Sequence, residues 1–217
     1  CESIELSSNS IHILAGEKRT VYILSDLEKF QMGLGLQSEN PQIATVEPQN
    51  DSKAILITGN SVGNTSIYLR DLKYPDNYAE IEVISDYLSG KFIEKGDSSS
   101  TWINGGDLHI REIIESELRG IAKSRSGILY SFDKDTKAVE IDYSSSDYDN
   151  NKKAGTYEWD KDSLTLNFNN NISKHGFAVV NDHTIIIVLD FTEKCKSKYP
   201  NASVRGAKIQ CFLSAIE

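Results

Sequence analysis

Apolar residues recur at strand spacing along almost the whole chain, and a single stretch, Leu108–Lys123, carries a helical period. Residues 3–84 break into short runs: Ser3–Leu6, Ser10–Leu14, Thr20–Leu24, Gly33–Gln37, Ile43–Glu47, Ala54–Thr58, Thr65–Arg70 and Tyr78–Ile84. Val21 and Ile23 share one phase, as do Ile55 and Ile57, so each pair should face inward. Turn chemistry separates the runs, as at Glu39-Asn40-Pro41 and Tyr74-Pro75-Asp76-Asn77. Strands of this length and spacing predict a β-sandwich.

Residues 85–107 read as a join and the start of a second domain, with Ser98–Ser100 and Gly105-Gly106 as exposed loop. Asp107 can cap the helix that follows, and Ile110, Ile113, Ile114, Leu118 and Ile121 fall on one face of it. Gly127 stops it. From Ile128 the period returns to two. Ile128–Phe132, Ala138–Tyr143, Gly155–Trp159, Leu164–Phe168, Phe177–Val180, Thr184–Phe191 and Ala207–Leu213 read as consecutive antiparallel strands joined by short hairpins. The expected fold is mainly β: a β-sandwich over residues 1–86, then an antiparallel β-meander over 87–217 with one α-helix, 108–123. That meander closes either as an open sheet under the helix or as a small barrel.

The formal net charge of −9 argues against a nucleic-acid partner, which needs an excess of Lys and Arg on some surface. Residues 1–88 carry 6 Lys and Arg against 13 Asp and Glu, whereas residues 89–217 carry 17 against 19, a shift that agrees with a boundary between them. No apolar run approaches the roughly 18–20 residues of a membrane span.

Three cysteines occur, at positions 1, 195 and 211. Cys1 is the expected lipid-attachment residue of a mature bacterial lipoprotein, its signal peptide removed, which would anchor the protein to a membrane surface. Cys195 and Cys211 are candidates for a disulfide, worth about 3 kcal/mol in the chain-entropy model; two buried free thiols are the alternative.

Ser38-Glu39-Asn40-Pro41-Gln42-Ile43-Ala44-Thr45-Val46 and Gly59-Asn60-Ser61-Val62-Gly63-Asn64-Thr65-Ser66-Ile67 resemble two motif segments of the bacterial Ig-like domains of group 2, and Ile13-Leu14-Ala15-Gly16-Glu17 is similar to the start of those domains. The resemblance covers residues 3–84 and departs at Leu36, where the family often has Trp. It implies an extracellular sandwich that spaces, supports or adheres. Gly90-Lys91-Phe92, Gly155-Thr156-Tyr157-Glu158-Trp159 and the final hairpin faintly resemble lipocalin-like domains of exported bacterial lipoproteins.

Catalytic constellations are not legible. His12, His109, His175 and His183 are scattered without ligand spacing, so no metal is expected. The Asp133–Lys137 and Ser144–Asn151 segments read as a hairpin turn and a solvated loop rather than calcium loops, lacking Gly at the sixth and Glu at the twelfth position. There is no nucleotide loop and no nucleophile elbow. No cofactor and no enzymatic activity are expected. Trp102 and Tyr148, in polar loops, are the candidate ligand contacts, through ring stacking on a carbohydrate or small apolar molecule. The expectation is thus a lipid-anchored cell-surface or periplasmic protein of the outer membrane of a Gram-negative bacterium, with the sandwich as spacer and the second domain binding a ligand. The alternative is a structural or adhesive protein making protein contacts through both domains.

Overall fold

Alternating burial along seven strands builds the first unit of the chain into two sheets. The computed structural model describes residues 3–49, 53–160, 162–181 and 183–217; strands take up 53% of the chain and helices 14%, a mainly β fold. Two compact units divide it, Cys1–Tyr87 and Leu88–Glu217.

The first unit contains β1 (Ser10–Leu14), β2 (Lys18–Tyr22), β3 (Leu34–Ser38), β4 (Ala44–Pro48), β5 (Ala54–Gly59), β6 (Gly63–Asp71) and β7 (Tyr78–Asp86). One sheet is ordered β1-β7-β6-β3 and the other β2-β5-β4, with β1 parallel to β7. Ile13, Val21, Ile55, Ile57, Ile67, Leu69, Ile81 and Val83 are each at most 1% exposed and fill the space between the sheets. The expected inward phases of β2 and β5 are those observed; Tyr22 and Leu24 face solvent. Ser3–Leu6, expected as a strand, contributes only an isolated bridge from Leu6 to Ile23. Gly59 is demanded by close approach, since a Cβ there would sit 3.0 Å from the Leu14 carbonyl oxygen and 3.0 Å from the Ser85 hydroxyl.

The second unit runs β8 (Gly90–Glu94), β9 (Ser100–Gly105), α1 (Leu108–Ser124), β10 (Leu129–Asp133), β11 (Ala138–Asp142), β12 (Lys152–Trp159), β13 (Ser163–Phe168), β14 (Asn171–Asn181), β15 (Thr184–Asp190), α2 (Thr192–Lys198) and β16 (Val204–Ile216). Of the two closures left open by the sequence, the barrel is the one formed. Strands β10 to β15 pair each with the next; β15 pairs with β16 from Thr184↔Ser214 to Asp190↔Lys208, and β16 pairs with β8, which returns to β10. Eight strands therefore close on themselves. Strand β16 is long enough to carry β9 beside β8 on the same flank, from Val204↔Gly105 to Gln210↔Ser100.

The barrel interior is filled with side chains. Phe92, Tyr130, Phe132, Tyr157, Leu164 and Leu213 are at most 4% exposed. Phe132 meets Tyr157 edge to face at 5.0 Å between ring centroids and Phe92 at 6.1 Å. The Tyr157 hydroxyl donates to the Leu88 carbonyl oxygen.

Helix α1 is capped as its sequence demands: the Asp107 carboxylate accepts from the Ile110 N–H at 2.9 Å. It buries Ile114, Leu118 and Ala122 and packs against β9 and β16. Two expectations fail here. Strands β8 and β9 occupy the stretch read as a join and loop: β8 pairs with β10 and β16, and β9 pairs with β16, more than ninety residues on, so neither has a local signature. Helix α2 was not foreseen, because seven residues make too little helical period to register against the strand pattern.

Candidate functional site

The second unit offers three places where chemistry concentrates. The first is a sealed ion pair. Strand β8 ends at Glu94, wholly buried, and α1 hands its next residue, Arg125, into the barrel at 5% exposure. Arg125 Nε donates to Glu94 Oε1 at 2.8 Å and Nη2 to Oε2 at 3.1 Å. Tyr130 joins them, its hydroxyl accepting from Arg125 Nη2 at 2.9 Å and donating to Glu94 Oε2 at 3.1 Å. Burial works against the charge on Arg125, but Tyr130 and the Glu94 carboxylate more than offset it and keep the guanidinium protonated. Burial first, then Glu94, raises the Tyr130 phenol, which stays a neutral donor. The three groups answer one another, and this network has a structural reading.

The loop after β11 covers that network. The Asp147 N–H donates to the Ser124 carbonyl oxygen at 3.0 Å, and Tyr148 stacks on Tyr143 with centroids 6.2 Å apart. The Arg125 guanidinium carbon lies 4.8 Å from the Tyr148 ring centroid. Tyr148, a candidate ligand contact from sequence, is thus 44% exposed but already engaged in a cation–π contact. Gly127, at φ 94°, turns the chain from helix to strand beneath this loop, where a Cβ would meet the Ser145 carbonyl oxygen at 2.7 Å.

Inside the barrel, His175 shares a face with Leu164 and accepts from or donates to the Ser173 hydroxyl at 3.0 Å. Burial holds its imidazole below the ordinary pKa of 6.5; a backbone hydrogen bond with Val188 opposes this and the charge of Arg125 reinforces it. The unfolded chain takes up a proton near pH 6.5 that the folded chain accepts only at lower pH, so the unfolded state binds more protons in that window. Barrel stability should therefore fall as pH drops below 6.5, and His175→Gln should flatten that slope. Urea midpoints followed from about pH 7 to about pH 5 check this; equal slopes for the two proteins would refute it.

The second place is Trp102. It lies on β9, not in a loop as expected, opposite Lys208 of β16. Its ring is 47% exposed, with Lys208 Nζ 5.6 Å from the centroid, and a Cβ at Gly206 would collide with it. Covering a strand glycine with an aromatic ring is itself a sheet-stabilising device. Trp102 and Tyr148 belong to different elements and are not brought together into one site.

The third place is a crevice between α1 and α2, about 400 Å³ in volume, lined by Glu117, Leu118, Gly120, Ile121, Ser124, Phe191, Lys194, Cys195 and Lys198. Glu117 braces it: its Oε1 accepts from Lys198 Nζ at 2.6 Å and from the Tyr199 hydroxyl at 2.7 Å. Those two hydrogen bonds, Lys198 first, lower the Glu117 carboxyl below its ordinary range, so it stays ionised. Gly120 sits in the fourth turn of the helix with open space where a Cβ would stand. A glycine inside a helix costs about 1 kcal/mol relative to Ala. Gly120→Ala should raise stability by about that amount in urea unfolding; a neutral or negative change would show that the open space does not persist.

Of the two readings kept open for Cys195 and Cys211, a disulfide and two buried free thiols, the structure has the free thiols. Cys195 lies on α2 and Cys211 faces the barrel interior, both buried and both free. Helix α2 places Cys195 on the crevice beside α1. Burial first, then Glu94, raises the Cys211 thiol, and burial first, then Glu117, raises Cys195, so both stay protonated and poorly nucleophilic near neutral pH. Cys1 lies outside the described residues. Among the described residues no group of three or more His, Cys, Asp or Glu could hold a metal ion, and no helix is long and apolar enough to cross a membrane.

Sequence reasoning missed Glu94, Arg125 and the crevice. The mid-helix Gly120 and the Lys194-Cys195-Lys196-Ser197-Lys198 run were visible signals, but only α2 puts them on one site.

No family model matches the chain, and no curated protein matches it. Among solved structures it is similar to domains 1–6 of the surface layer protein SbsC, at 14% identity and a TM-score of 0.34 over 80% of this chain, of which it spans 24%. It is similar also to domains 5–6 of the S-layer protein SbsC, at 11% identity and a TM-score of 0.34 over 96% of each chain.

Proposed function

We propose that this chain is an exported, non-enzymatic binding protein, in which the sandwich serves as a spacer and the barrel unit carries the ligand site on its outside. The observation that carries this reading is the apolar crevice between α1 and α2, of a volume usual for small-molecule sites, next to a barrel interior occupied by packed aromatic rings. The perturbed groups of the Glu94–Arg125–Tyr130 network are sealed and mutually satisfied, which supports a structural rather than a catalytic role for them. Placement at a bacterial cell surface, with a lipid on Cys1, is part of the proposal and has its support in the likeness of residues 38–46 and 59–67 to extracellular Ig-like modules.

Tryptophan fluorescence tests the binding role, because Trp102 and Trp159 both lie in the second unit. A true ligand at a hundredfold excess over its Kd should raise unfolding stability by about 2.7 kcal/mol. A panel of small apolar molecules and oligosaccharides that leaves the urea midpoint unmoved, with no adduct in native mass spectra, would sink the reading. The intact mass of residue 1 in protein from its native envelope checks the lipid.

The adhesive alternative has one observation in its favour. Met32, Leu72, Tyr74 and Tyr78 are each at least half exposed on the sandwich, and the Leu72 N–H donates to the Gly33 carbonyl oxygen, bringing the loop of Met32 beside the β6–β7 turn. Under that reading Leu72→Asp would abolish attachment to a protein partner and leave small-molecule binding intact.

A further inference from the structure

We infer that the α1–α2 crevice takes a single-chain amphiphile with an anionic head, an alkyl carboxylate, resting on the binding role just proposed. Three independent observations converge on it. Leu118, Ile121 and Phe191 make the walls apolar, and this surface would be shielded from water by an alkyl chain.

Charge selects the head group. Two lysines and one glutamate line the crevice, a local excess of one positive charge on a chain whose net charge is −9. Lys198 and Tyr199 hold the Glu117 carboxylate by hydrogen bonds and Lys194 attracts it only at longer range, so within the lining Lys194 is the cation best placed to meet a ligand. A carboxylate there completes the charge balance; an ammonium would add to the excess. Lys194 is exposed, so the head stays at the water-facing rim while the tail lies inward.

Gly120 is the third observation. A Cβ at this position would stand in open space beside the crevice, with no atom of the rest of the fold within 4 Å. Its absence is unfavourable for the helix and leaves the wall low where a ligand would lie. The position therefore separates folding from binding: a larger residue helps the helix and fills the crevice.

The experiment is calorimetric titration of the full chain with dodecanoate, below its micellar concentration, with dodecyltrimethylammonium as the charge-reversed probe and acetate as the head without the tail. Dodecanoate should bind one to one, at least about tenfold tighter than the cation, and acetate not measurably. Gly120→Leu should weaken dodecanoate by at least about tenfold while its urea midpoint stays at or above that of the wild type, and Lys194→Glu should remove the preference for the anion. Equal binding of both dodecyl probes, or binding untouched by Gly120→Leu, overturns the inference. If dodecanoate fails while another small molecule of the panel binds, the carboxylate inference is wrong and the binding role stands. If nothing binds, both fall.

Discussion

Arg125→Met is expected to destabilise the barrel by about 3–5 kcal/mol, the cost of leaving one member of a buried ion pair without its partner. Glu94 is wholly buried and takes two hydrogen bonds from Arg125, at 2.8 and 3.1 Å. The Tyr130 hydroxyl, at 3.1 Å, and the Cys211 thiol remain to face the carboxylate. A domain stable by roughly 5–15 kcal/mol would lose a large part of its margin. The Glu94→Leu/Arg125→Met double variant should recover most of the loss, because removing both charges together removes the desolvation cost along with the attraction. Urea unfolding read by tryptophan emission measures this in the second unit, and a single-variant loss below about 1 kcal/mol would mean that water reaches Glu94.

Phe132→Ala should cost about 3–5 kcal/mol by the same measurement. Phe132 is 4% exposed and its ring contacts those of Phe92, Tyr130 and Tyr157. Those neighbours stand on β8, β10 and β12, strands held in register by a closed ring of hydrogen bonds, so the walls cannot move in to fill the hole. Phe132→Leu, which keeps most of the volume, should cost less than half as much. An equal loss for both variants would point to the ring contacts rather than the volume.

The elements most legible in the sequence were those whose causes are local. Helix α1 has its cap at Asp107, its apolar face at Ile114 and Leu118 and its stop at Gly127, all within one window. The inward phases of β2 and β5 were legible for the same reason: side chains alternate along a strand whatever its partner. Trp102 was misplaced because Ser98–Ser100 and Gly105-Gly106 carry loop composition, while β9 owes its existence to β16. The choice between a disulfide and free thiols at Cys195 and Cys211 was not legible, because a two-turn helix that carries Cys195 leaves no signal against the strand pattern.

The sequence by itself determined strand content, the place of the principal helix and a division near residue 87, since these follow from periodicity, caps and turn residues acting over a few positions. Only the tertiary structure decided that the meander closes, because closure depends on Leu213–Ile216 meeting Lys91–Glu94 across the chain, a pairing with no local signature. It likewise decided that Glu94 and Arg125, unremarkable in their own segments, become a buried pair, and that Gly120, Lys194 and Cys195 line one crevice. Burial and proximity are properties of the folded arrangement, and ionisation, hydrogen bonding and ligand access follow from them rather than from residue type.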